Sequence, residues 1–268
     1  MTCKIVVLVG LGMLLFVSPA NAIIGGSNDG GGHPYVGGID ARPAGGGIFT
    51  ASGVLVSSTV LVTAGHGTLR FEAAGLTRAR VTFDPVASDS GTWYTGTVHT
   101  NPAYDPQSAD DPGDLGVVVF DAPIPGIAPA SLPAQDQLAQ SGPPGLSRGG
   151  TDVVAYGISS YLAGTRRPDP GSTGTRRIAR QTATSLTPGW LRLRMNEGAE
   201  ICTGDSGSPS LLGSSHVVAG ITTGETSLSG GRCTSQPWDS RLDTPAARAF
   251  LGQYVTLPSH DAPWRHVR

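Results

Sequence analysis

The chain has 268 residues, 38% of them apolar and 14% charged, with 39 Gly, 21 Pro and a formal net charge of −2. Gly and Pro together stay short of the roughly 25–30% of low-complexity chains and follow no period, so a globular fold with a sizeable core is expected, and disorder and collagen are excluded. So few charges, so nearly balanced, make no basic field for phosphates, which excludes nucleic acid as a partner.

Residues 1–22 have the form of an export signal. Lys4, the only lysine, supplies the positive start, Ile5–Val17 is apolar, and Ser18-Pro19-Ala20-Asn21-Ala22 ends in an A-x-A cleavage pattern. That apolar run is too short for the ~20 residues of a spanning helix, and no later segment is longer, so no membrane association is expected after cleavage. Cleavage after Ala22 also removes Cys3. Cys202 and Cys233 then remain: in the oxidising compartment that export implies they can form one bridge, whereas in a reducing one they would be two buried thiols.

From residue 23 onward, β-branched runs alternate with Gly, Pro, Asn, Asp and Ser clusters: Val54–Val62, Arg80–Phe83, Thr92–His99, Leu115–Phe120, Val153–Tyr156, Trp190–Arg194 and Val217–Thr222. Many short strands with almost no helical period predict an antiparallel barrel or sandwich. The one helical pattern is Thr244–Tyr254, where Thr244-Pro245 makes a cap and first-turn pair and the apolar residues follow at helical spacing; it is expected to pack on the end of the last barrel. Asp105–Gly113 and Leu162–Thr175 are expected to be long surface loops, the second running into Arg176-Arg177. Residues 258–268 form a polar tail.

Three segments carry chemistry together: Thr63-Ala64-Gly65-His66-Gly67, Asp114-Leu115-Gly116-Val117-Val118-Val119, and Cys202-Thr203-Gly204-Asp205-Ser206-Gly207-Ser208-Pro209. A serine hydroxyl becomes a nucleophile only when a base takes its proton, and a histidine base needs a carboxylate to fix its tautomer and orientation. All three types are present, each at the edge of an expected strand, where loops on a rigid scaffold place reactive groups.

On these residues the chain resembles the trypsin/chymotrypsin family of serine proteases. T-A-G-H is similar to the family's T-A-A-H, D-L-G-V-V to its D-I-A-L, and G-D-S-G-S-P to its G-D-S-G-G-P. The order His, Asp, Ser, with gaps of 48 and 92 residues, separates this family from subtilisins and α/β-hydrolases. The resemblance runs from Ile23-Ile24-Gly25-Gly26 to the C-terminal helix. It implies two six-stranded antiparallel Greek-key barrels with a short C-terminal helix, forming a peptidase domain over residues 23–257 with the barrel boundary near 130–150.

By the same resemblance Ser206 is the nucleophile, His66 the base and Asp114 its carboxylate, with the amides of Gly204 and Ser206 as the oxyanion hole. Ile23, once freed, would pair with Asp205. The Cys202–Cys233 bridge would border a specificity pocket made by Glu200, Ile201, Thr222, Thr223, Gly224 and Glu225, with Thr223 placing its hydroxyl beside the catalytic carboxylate. An acidic Glu200 at the pocket floor would select Arg or Lys before the cleaved bond, and Arg176 and Arg177 would then be exposed autolysis sites; otherwise Ile201 and Thr222 would line a pocket for small or apolar side chains.

The chain departs from the family in lacking the bridge after the catalytic His, where Gly67 and Ala51 stand, a scarcity that resembles bacterial members. The expectation is a secreted monomeric endopeptidase acting on proteins or peptides, with no cofactor and no catalytic metal; the alternative is a silent homologue that keeps the fold as a binding module.

Overall fold

A computed structural model describes residues 22–41, 49–108, 110, 113–165, 167, 169–224 and 233–259. The signal segment to residue 21, Glu225 and the tail beyond residue 259 lie outside these residues.

The first half folds as β1 (Ser27–Asn28), β2 (Val36–Ala41), β3 (Phe49–Ser57), β4 (Val60–Thr63), α1 (Gly65–Ala73), β5 (Arg78–Thr82), β6 (Tyr94–Thr100) and β7 (Gly116–Phe120). Strands β2 to β7 close into an antiparallel barrel in the order β2-β3-β4-β7-β6-β5. The expected strand Val54–Val62 is a hairpin. Ser57 turns the chain, its hydroxyl accepting from Thr59 N–H, and Leu55 then pairs with Leu61 across the turn. Its apolar run contains both strands, which is why periodicity alone merged them.

A kinked helical stretch, α2 (Gln137–Gly149), leads to β8 (Thr151–Ala155), β9 (Arg177–Leu186), β10 (Trp190–Met195), β11 (Pro209–Leu212), β12 (Val218–Gly224), β13 (Trp238–Arg241) and α3 (Pro245–Leu251). Here β8 pairs back onto β9 and closes the second barrel, β9-β10-β13-β12-β11-β8, with β1 added along β9. Closure removes the unpaired edges that so many short strands would otherwise expose.

Several elements were hidden in the sequence. In β2, Val-Gly-Gly-Ile-Asp-Ala looks like a turn, and β9, Arg-Ile-Ala-Arg-Gln-Thr, looks like exposed loop. Gly142 and two prolines masked α2, which nevertheless buries Leu138 and Leu146 against Leu191, Leu193 and Leu212, with Leu138 N–H donating to Asp243 Oδ2 at 2.8 Å.

The C-terminal helix is capped as expected, Thr244 Oγ1 accepting from Ala247 N–H at 3.2 Å. Phe250 and Leu251 join a core cluster that holds residues of both barrels, Leu211, Val218 and Ile221 of the second among them, and the ring of Tyr254 lies 5.4 Å from that of His99 on β6. The helix therefore reaches the first barrel as well.

The loop before β9 also corrects an expectation. Arg176 is 1% exposed, and Arg177 already pairs in β9 with Asn28 and Ala155. A protease needs extended, accessible backbone, so neither residue is an exposed autolysis site.

Candidate active site

His66 is placed by the end of β4. Ala64 is extended (φ −79°, ψ 138°) and starts α1, which puts His66 in the first turn, where backbone N–H groups have no partner within the helix. Asp114, just before β7, supplies one. Its Oδ1 accepts from His66 N–H at 2.6 Å while its Oδ2 lies 2.8 Å from His66 Nδ1. One carboxylate thus holds both the backbone and the ring of the same residue. Facing that carboxylate, Nδ1 carries the proton, which leaves Nε2 to accept one. The His66 side chain is 28% exposed and that of Asp114 7%, so the imidazole can be reached and the carboxylate cannot.

Asp114 is itself held by its neighbours' backbone. Asn101 Nδ2 donates to Gly113 O at 2.8 Å and Asn101 N–H to Leu115 O at 2.9 Å. Burial, then the negative charges of Asp114 and Asp105, push the Tyr104 hydroxyl up to about 12.

Ser206 comes from the second barrel and is fastened to the first. Its carbonyl accepts from Ser52 N–H on β3 at 2.9 Å, and Ser52 Oγ donates to Gly204 O at 2.9 Å while accepting from Tyr156 N–H at 3.0 Å. Thr63 Oγ1 in turn donates to Ser52 O at 2.7 Å. Gly207 sits at φ +88°, and a Cβ there would lie 2.1 Å from Ser52 O and 2.2 Å from Thr63 Oγ1. Only glycine lets the turn press against β3 and β4, three residues before His66. Gly204 is similar: φ is +92°, and a Cβ would lie 2.8 Å from Gly157 Cα.

Asp205 is fully buried beneath this turn. It accepts from Gly157 N–H at 2.9 Å, from Cys202 N–H at 2.8 Å and from the backbone N–H of Ile23. Burial pushes its carboxyl up to about 7, against the pull of those three donors. Ile23 lies among Val153, Ala155, Met195, Ala199 and Ile201. It adopts φ +51°, a left-handed conformation that a β-branched residue holds only under strain.

The expected pocket residues do not stay together. Glu200 pairs its backbone with Ile24, and its carboxylate accepts from the Tyr161 hydroxyl. Ile201 is buried in the cluster around Ile23, and Thr222 faces the interior of the second barrel opposite Asp239. Both belong to packed interior rather than to a pocket wall. Thr223 has one hydroxyl proton and gives it to Trp238 O at 2.9 Å, so it does not serve Asp114. Gly224 ends β12. Cys202 and Cys233 are bridged, with Cα atoms 4.3 Å apart.

Ser52 and Asn101 are the site-building residues that sequence reasoning missed. The one signal was Ser52 itself, a polar residue in the apolar run of β3, and it is fully buried. Among the described residues no group of three or more His, Cys, Asp or Glu could hold a metal ion, and no helix is long and apolar enough to cross a membrane.

Two closed six-stranded antiparallel barrels of this order define the chymotrypsin-like fold. The family model described as Trypsin matches residues 23–237, and the chain belongs to the trypsin family. Among solved structures it is similar to HL collagenase (TM-score 0.68, 16% identity, 88% of this chain and 100% of that one). It is also similar to human heparin binding protein (0.61, 18%, 87% and 96%) and to the scabies mite inactivated protease paralogue S-I1 (0.61, 15%, 85% and 96%). No curated protein sequence matches the chain significantly.

Proposed function

We propose that the chain is an exported serine endopeptidase that cleaves peptide bonds through an acyl-enzyme. Ser206 Oγ attacks the scissile carbonyl, His66 Nε2 takes its proton and returns it to the departing amine, and Asp114 stabilises the imidazolium between the two steps. The amides of Gly204 and Ser206 donate to the oxyanion as it forms, and water then repeats the sequence on the ester. One observation carries this reading: Asp114 grips His66 at both backbone and ring, while the Ser206 turn is fastened to Ser52 on β3, which Thr63 ties to β4, the strand that leads to His66.

Export and maturation are read together. Cleavage between Ala22 and Ile23 abolishes the strained φ of Ile23, because a terminal residue has none, and it turns the amide facing Asp205 into an ammonium. A buried carboxylate with only neutral donors then gains a counter-charge. Glu200 is proposed to favour a basic residue before the cleaved bond.

An active-site-directed fluorophosphonate tests the reaction. It should label the matured protein at Ser206 but not Ser206→Ala, and a peptide library should be turned over only by the former. Some relatives by fold are named as inactivated, so the fold alone does not carry activity. A native protein that stays unlabelled is a binding module.

A further inference from the structure

Among the described residues Arg176 is the bulkiest fully buried side chain, and the proposed chemistry makes no use of its charge. It stands at the start of the edge along which the amino-terminal segment runs. Ala22 N–H donates to Thr175 O at 3.2 Å, Asp29 N–H donates to Arg176 O at 3.1 Å, and β1 pairs with β9 just beyond.

The guanidinium reaches five acceptors on four stretches of chain. Nε donates to Asp29 Oδ2 at 2.8 Å and Nη2 to Gly30 O at 2.5 Å, both in the amino-terminal segment. Nη1 donates to Val36 O on β2 at 3.3 Å, to Phe83 O after β5 at 3.0 Å, and to Tyr156 Oη at 3.1 Å. Two of these arms lead to Asp205. One runs through Asp29 and β1 back to Ile23, and the other through Tyr156 to Gly157, whose N–H holds Asp205 Oδ1.

We propose that Arg176 is a positioning residue, clamping the amino-terminal segment and Tyr156 so that Ile23 and Gly157 close on Asp205 and set the Gly204–Ser206 turn for oxyanion binding. The inference rests on the protease reading only in taking that turn as the oxyanion hole. The Asp29 side chain is 2% exposed and is held by His33, through its backbone N–H at 3.0 Å and its ring Nδ1 at 2.5 Å, as well as by Arg176. Removing Arg176 takes one cation from this buried carboxylate and leaves Gly30 O without its guanidinium donor, and both lie on the segment that runs through β1 back to Ile23, so the disturbance travels along it.

The test compares full-length matured Arg176→Met and Asp29→Asn with Arg241→Met, which breaks an equally buried pair with Asp243 near α2. Arg176→Met should speed hydrogen exchange at the Gly157 and Cys202 amides by about tenfold or more. It should lower kcat by roughly 10- to 100-fold, with KM within about twofold, because the oxyanion contacts are made in the transition state. Asp29→Asn, which keeps an acceptor, should move both readouts the same way by less, and it keeps the question open to measurement if Arg176→Met does not fold. Arg241→Met should lose thermal stability alone.

If Arg176→Met and Asp29→Asn behave like Arg241→Met, with wild-type exchange and wild-type kcat, Arg176 only stabilises the fold and the clamp is wrong. A wild type inert to fluorophosphonate would instead overturn the protease reading, and the exchange measurement would still decide the clamp.

Discussion

Ser52 ties its own strand to two other segments: its backbone N–H holds Ser206 O and its Oγ–H holds Gly204 O in one, and its Oγ accepts from Tyr156 N–H in the other. Ser52→Ala leaves the Gly204 carbonyl and the Tyr156 amide without that partner in a buried place, which costs about 1–3 kcal/mol of stability by denaturant titration. Because Gly204 is in the proposed oxyanion turn, the rate of fluorophosphonate labelling should fall several-fold as well. Labelling at the wild-type rate would show that the turn is held without Ser52. Glu200 presents a narrower question. Its carboxylate already takes the Tyr161 hydroxyl, and a substrate guanidinium would add a charge-assisted bond. Glu200→Gln should therefore lower kcat/KM for peptides with Arg before the cleaved bond by at least about tenfold relative to apolar ones. An unchanged library profile would remove Glu200 from specificity.

Between elements, the Cys202–Cys233 bridge ties the segment entering the Gly204–Ser206 turn to the segment entering β13. For a loop of this length the chain-entropy model gives roughly 3–4 kcal/mol, which two closed barrels can lose and still fold. The double variant Cys202→Ala/Cys233→Ala should melt lower, and because Cys202 N–H also holds Asp205, it should lose more kcat/KM than its stability loss explains.

The row Ser208, Thr222, Asp239 runs from the residue before β11 across β12 to β13, and all three are buried. Burial pushes Asp239 up to about 7, opposed only by the hydroxyls of Ser210 and Thr222, and no charged group takes part. A carboxyl raised from about 4 to about 7 on folding binds more protons in the folded state, so its contribution to stability is full below about pH 4 and is lost as pH rises towards 7. Asp239→Asn should flatten that decline and stabilise the protein most near neutrality. Urea denaturation at pH 4.5 and 7.5 decides it: equal slopes for variant and wild type would mean that Asp239 stays ionised throughout.

At the scale of the molecule, the export, maturation and catalysis proposed above all meet in the amino-terminal segment. Secreted active protein should begin at Ile23. A free α-amine has a pKa near 8, and pairing with Asp205 raises it, so the closed arrangement is complete below the unpaired value and is lost as pH rises through the raised one. Activity should decline on the alkaline side, and Asp205→Asn should lower kcat at every pH. Fully active protein carrying residues before Ile23 would contradict this.

The proposed triad is legible in the sequence because its three motifs keep their local residues and their order. The Thr244 cap is legible because it is a matter of neighbours in sequence, and the bridge because two cysteines allow only one pairing. What lay outside the sequence was facing. An alternating run such as β3 or β12 has two sides, and only the closing of each barrel decides which side is interior. That is why Thr222 and Ile201, expected at a pocket, are core, and why Ser52 went unremarked. Arg176 is the extreme case: a paired arginine in a loop-like stretch is ordinarily solvated, and it is buried here because Asp29, Gly30, Val36, Phe83 and Tyr156 converge on it from positions up to 147 residues away. Chemistry written in contiguous residues was decided by the sequence itself; burial, which depends on contacts distant in sequence, was decided only when the barrels closed.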